Sequence, residues 1–146
     1  MTTSTTSATT DPLRTMDERE CWAYLQQEEL GRIAVTLGRE PEIFPVNYVV
    51  DHGCIVIRTA PGTKLVDLLI NSRVVFEIDG HDDAIGWSVV VKGFAEEVDP
   101  PADPHQVRHL PTPWIDSRKD AVIEITPVTV TGRSFPRRPK ATPSAG

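Results

Sequence analysis

A chain of 146 residues is long enough for one domain that buries roughly 70% of its unfolded surface. Its 21 acidic and 15 basic residues leave a formal charge of −6, which excludes the basic stripe that non-specific nucleic-acid binding needs. No apolar run approaches the ~20 residues of a membrane span, so neither nucleic acid nor membrane is an expected partner.

Residues 1–14 read as a disordered lead: Met1–Thr10 is Thr/Ser-rich, with neither the basic start nor the apolar stretch of a signal peptide. Asp17-Glu18-Arg19-Glu20 opens a helix, with Asp17 as cap and Glu20 completing the capping box. Cys21, Trp22 and Leu25 form its apolar stripe, and Gly31 is expected to end it after Leu30. Arg32–Leu37 alternates as a strand, Gly38-Arg39-Glu40-Pro41 turns, and Ile43–Val50 is a second strand in which Pro45 calls for an edge or a bulge. Asp51-His52-Gly53 is a hairpin turn into the third strand, Cys54–Thr59. Lys64–Asn71 is a short helix with Leu65, Leu68 and Leu69 on one side. Val74–Asp79 and Trp87–Val98 are further strands, joined by the polar Gly80–Gly86. Pro100–Pro113 is irregular or a brief helix, Ala121–Thr131 is the last strand, and 136–146 is a Pro-rich, disordered tail. Both cysteines, Cys21 and Cys54, read as small core residues of a reduced, cytoplasmic protein.

Six strands in mostly hairpin succession, with few short helices, make the fold class mainly β. Hairpin-linked strands must hide their edges, which favours a closed or partly closed antiparallel barrel over 15–135. A doubly wound sheet would need helices between successive strands.

The stretch that carries chemistry is Arg58-Thr59-Ala60-Pro61-Gly62-Thr63-Lys64. A strand ends in Arg-Thr, a tight turn follows, and Thr-Lys opens a helix. Two cations, two hydroxyls and free backbone N–H groups around one small volume suit a phosphate. The same residues would also serve as a solvated turn. Elsewhere the chemistry is sparse. His105 and His109 stand one helical turn apart without a third metal ligand, His52 is a turn residue, and Asp79, Asp82 and Asp83 beside His81 read as a hydrophilic loop.

In order along the chain, Pro45-Val46-Asn47-Tyr48, the Arg58–Lys64 stretch, Val75-Phe76-Glu77-Ile78-Asp79, Gly86-Trp87-Ser88-Val89-Val90-Val91-Lys92-Gly93 and Thr131-Gly132-Arg133 resemble the pyridoxamine 5′-phosphate oxidase-like flavin-binding split barrels. The pattern looks most like the small actinobacterial flavin- and deazaflavin-dependent members. The resemblance implies a six-stranded antiparallel split barrel, a homodimer with cofactor at the subunit interface, and FMN-dependent oxidation–reduction of a small molecule. By position it implies that Arg58, Thr59, Thr63 and Lys64 hold the FMN phosphate and that Pro45, Val46, Asn47 and Tyr48 run beside the ring. Trp87 and Ser88 would reach the flavin of the partner, and Arg133 the cofactor's vicinity. For Tyr48 the safer role is core packing, although it could also supply a substrate proton. The C-terminal Arg/His set by which the vitamin-processing enzyme grips its substrate is missing. Two alternatives stay open on the same fold: F420 along a groove of Arg32, Arg39, Lys92 and Arg133, or a non-catalytic flavin or haem carrier or sensor.

Overall fold

The computed structural model describes residues 13–59, 64–70, 72–99 and 121–138. Its elements are β1 (Arg14–Met16), α1 (Glu18–Gln27), β2 (Leu30–Leu37), β3 (Glu40–Asp51), β4 (Cys54–Thr59), α2 (Lys64–Leu69), β5 (Ser72–His81), β6 (Ile85–Val98) and β7 (Ala121–Pro136). The expected disordered lead and tail, Ala60–Thr63 and Pro100–Pro113 otherwise lie outside the described residues, although Arg14 belongs to β1 and Pro136 to β7.

All strand pairs are antiparallel, in the order β1-β7-β4-β3-β2-β5-β6, and β6 also pairs with β7. Strands β2 to β7 therefore close a ring of six, as the hairpin succession implied. The ring is split on one flank of β7: β4 holds Ala121–Ile125, and β1 holds Gly132–Ser134. The β3–β4 hairpin turns on His52 (φ 49°) and Gly53 (φ 74°), the pair of positive φ values that a two-residue type I′ turn requires.

Alternation puts Ile33, Tyr48, Ile55, Ile57, Phe76, Ile78, Val89, Val91, Ile123 and Ile125 inside the ring. α1 presses Cys21 and Leu25 into this core. α2 adds Leu68 and Leu69. The capping box holds at the start of α1, where the Asp17 carboxylate accepts the Glu20 N–H at 2.8 Å. The end of α1 differs from expectation. It stops at Gln27, and Leu30 and Gly31 belong to β2. Gly31 is small because the Phe76 ring lies over it: a Cβ there would stand 2.4 Å from Phe76 Cζ. Cys54 also differs, sitting half-buried on the outer side of β4 rather than in the core.

Candidate functional site

The site elements meet where β3 outruns β4. β4 pairs with β3 only over Tyr48–Asp51, so Glu40–Asn47 has the β2 ladder on one side and no paired strand on the other among the described residues. Tyr48 N–H donates to the Glu29 carbonyl at 3.0 Å, which sets the even-numbered residues of β3 to bond toward β2. Pro41, Ile43 and Pro45 consequently turn their backbone groups to the open edge. Two of these three positions have no N–H, so the edge is rich in carbonyl acceptors. Proline tolerates this position because an open edge needs no ladder donor there. Pro45 was expected at such an edge; the matching role of Pro41 went unread, although its spacing of four from Pro45 puts both on one side of a strand.

Arg58 and Thr59 end β4 beside this edge, in register with Val122 and Ala121. Both are half-buried, and Arg58 Nε is shielded from solvent. Lys64 opens α2 and Thr63 lies outside the described residues, as does the Lys64 side chain. α2 has only six residues, so the helix-dipole contribution expected at its start is small, and an anion here would rest on side chains.

Within the β3 quartet the side chains divide. Pro45 and Asn47 face outward, and Asn47 Nδ2 donates to the Glu29 carbonyl at 3.3 Å. Val46 and Tyr48 face inward. The Tyr48 ring packs edge-on against Phe76, and its hydroxyl donates to the Leu25 carbonyl at 2.7 Å. Burial pushes this phenol well above its usual pKa, with a smaller push from Glu28. The core role therefore holds for Tyr48, and its expected use as a proton source does not.

Trp87 is likewise turned inward, stacked on Tyr24 with ring centroids 4.2 Å apart. A cleft of about 420 Å³ lies between α1 and the β5–β6 hairpin beside this pair. Ser88 faces outward from β6, between Asp79 of β5 and Arg133 of β7. β2 and β5 separate Asn47 from Ser88, about 14 Å at a strand spacing near 4.8 Å. The chain thus gathers Pro45, Asn47, Arg58 and Thr59, and holds Ser88 apart from them.

Arg32 Nη1 meets Glu77 at 3.1 Å and Asp79 at 3.4 Å on the wall between. Burial and the neighbouring Asp79 raise the Glu77 pKa, and Arg32 works against that rise. Of Arg32, Arg39, Lys92 and Arg133, expected to line a basic groove, Arg32 is paired with these two carboxylates. The other polar candidates have local structural roles. Asp82 accepts the N–H groups of Ala84 and Ile85, both at 2.7 Å, which lowers its pKa. Exposed His52 contacts Asp51 at 2.7 Å. His105 and His109 lie outside the described residues, among which no three His, Cys, Asp or Glu side chains group as metal ligands. No helix among the described residues is long and apolar enough to cross a membrane.

Residues 17–134 match the family model described as pyridoxamine 5′-phosphate oxidase. The chain belongs to this family. A solved FAD-binding protein of Mycobacterium smegmatis is 41% identical over 84% of this chain and 99% of its own, with a TM-score of 0.73. An FAD-binding protein of Mesorhizobium loti is 25% identical over 84% and 97%, with a TM-score of 0.69. An uncharacterized protein of Mycobacterium tuberculosis is 34% identical over 80% of this chain and 82% of its own.

Proposed function

We propose that this protein binds a flavin nucleotide between two copies of itself and uses it in oxidation–reduction of a small molecule. The observation that carries the reading is the 41% identity to an FAD-binding protein across 84% of this chain. The donor set supports it. Arg58 can clamp two phosphate oxygens, Thr59 adds a hydroxyl, and Lys64 opens the next helix as a point charge. The carbonyl edge at Pro45 can accept hydrogen bonds from the donor side of a planar heterocycle. These groups suit the FMN portion that FMN and FAD share.

A bound flavin supplies the hydride or electron transfer; the protein's part is to hold the phosphate and aim the ring. With the Tyr48 hydroxyl committed to Leu25, no described side chain at this edge stands out as a general acid, so water is the expected proton source. Arg32 tied to Glu77 and Asp79 disfavours the long anionic tail of F420.

Titration of the purified protein with FMN, FAD and F420, followed by absorbance and flavin fluorescence, tests this reading. Uptake of FMN or FAD is expected. Arg58→Ala or Lys64→Ala should weaken it about 10- to 100-fold, the worth of one charge-assisted hydrogen bond of about 1.5–3 kcal/mol. No uptake of either flavin refutes the proposal, and preference for F420 reassigns the cofactor.

A further inference from the structure

We infer that an outer groove spanning β2, β5, β6 and β7 binds a small aromatic carboxylate. The inference goes beyond the flavin reading and does not depend on it. The groove has a volume of about 520 Å³, within the range of sites that take small organic ligands. It lies further along β2 than the Pro45 edge. Pro45 pairs with Arg32, whereas the groove takes Ala34 and Thr36 and touches β3 at Pro41.

The outside of a closed ring curves away from a ligand, so a groove there needs a cause, and β7 supplies one. Gly93 pairs with Pro127 and Lys92 with Thr129, which leaves Val128 as an extra, bulged residue. A bulge bends its strand and sharpens the local twist. Gly93 fits against it by having no side chain, since a Cβ there would overlap the Thr126 carbonyl. Val128 stands 66% exposed in the groove lining, with Phe94 at 42% and Val75 at 36%. Apolar side chains gathered around one depression mark a surface that gains by being covered.

Charge selects the occupant. Among the described residues the charged lining is Arg73 and Lys92, both basic in a chain of formal charge −6. Neither pairs with a described carboxylate; Glu77 and Asp79, further along β5, meet Arg32 instead. Arg73 faces Phe94 and Val75 faces Lys92 across the β5–β6 ladder. The two cations are therefore diagonal neighbours, about 7 Å apart at their bases, and long side chains rooted that close can share one carboxylate. Arg73 also lies over the Phe94 ring, 5.1 Å from its centroid. A guanidinium stacked on a ring keeps its N–H groups in plane, where they can give two parallel bonds to a carboxylate. Phe94, Val75 and Val128 offer a flat apolar body contact and ring stacking. A neutral or cationic arene would have the second contribution without the first.

Calorimetric titration of the whole chain with naphthoate tests this, beside its neutral alcohol and its ammonium counterpart. One naphthoate per chain should bind, about 10-fold more tightly than the alcohol, with no uptake of the ammonium. Added salt should weaken naphthoate and not the alcohol, a readout that needs no variant. Arg73→Gln and Lys92→Met should each weaken naphthoate about 10-fold and leave the alcohol within twofold. Val75→Asp should lose both ligands, and Arg19→Gln, on the exposed side of α1, neither. Far-UV circular dichroism reports folding for every variant. Saturating FMN should leave naphthoate affinity within twofold. Absence of binding, equal affinity for naphthoate and the alcohol, or folded Arg73→Gln and Lys92→Met variants with full affinity overturn the inference. Competition between FMN and naphthoate also overturns it, since the groove would then belong to the nucleotide site. Naphthoate binding with this charge response in a protein that takes up no flavin supports it and refutes the flavin reading alone.

Discussion

Replacing Tyr48 by Phe separates the two roles that its position in β3 offers. The hydroxyl donates to the Leu25 carbonyl at 2.7 Å from a side chain that is 1% exposed. That carbonyl lies past the end of the helical ladder, because the last α1 bond runs from Glu28 N–H to the Tyr24 carbonyl. Phe keeps the ring on Phe76 and leaves the carbonyl buried without this donor. Such a loss costs about 1–2 kcal/mol. For a domain of this size it lowers Tm by about 3–10 °C, which thermal circular dichroism at pH 7 resolves. Flavin affinity should stay within about twofold, since the hydroxyl points into the core. The buried phenol also sets a pH dependence. Its pKa is raised above the unfolded value of 10, so the stability it confers is full below pH 10 and falls as pH rises beyond it. Tyr48→Phe should flatten that alkaline loss. An unchanged Tm together with a large loss of flavin binding would refute this reasoning and return the hydroxyl to the site.

Gly31→Ala should destabilise the barrel by about 1–3 kcal/mol, because the new methyl must displace the fully buried Phe76 ring; denaturant unfolding measures it, and a neutral result would mean that the ring yields freely. Asp82→Ala should speed amide exchange at Ala84 and Ile85, which lose their common acceptor. In the wild-type protein the protection of these two amides, relative to free amides at the same pH, should begin to fall as pH drops below the ordinary aspartate range, since the pKa is lowered and the stabilisation belongs to the ionised form. Exchange measured by NMR that is identical in wild type and variant would count against the turn.

The strands were legible because each ring strand alternates one buried face against one exposed face, and β4 falls on its expected bounds. The failures have tertiary causes. Gly31 looks like a helix stop, but its size answers to Phe76 on β5, a neighbour visible only once β2 and β5 pair. β7 runs on to Pro136 because its inward positions there are Gly132 and Ser134, too small to register as an apolar stripe. Gly132 is small because β1 and α1 crowd it: a Cβ there would stand 2.5 Å from Met16 Cε and 2.6 Å from Cys21 Sγ. β1, with three residues, offers too little pattern to find. The site divides in the same way. Arg58, Thr59 and Pro45 could be read from local chemistry. The Arg32–Glu77 pair spans 45 residues and becomes visible only through strand register.

The open edge of β3 poses a conflict that its composition resolves. A strand with one unpaired flank invites another strand to add to it. A ligand-binding edge must nevertheless stay open. At the three successive edge-facing positions, Pro41, Ile43 and Pro45, two lack the N–H that an incoming strand would need, while all three keep a carbonyl. Strand addition would leave the newcomer's carbonyls unmatched. A compact heterocycle needs only one or two acceptors and loses nothing. The prolines thus narrow what the edge can bind, from another backbone to a small donor-bearing ring. Arg58 and Thr59 sit at the same end of the hairpin because β4 stops where that open flank begins. The difference in length between β3 and β4 therefore places an acceptor-rich edge beside the strand end that carries Arg58 and Thr59.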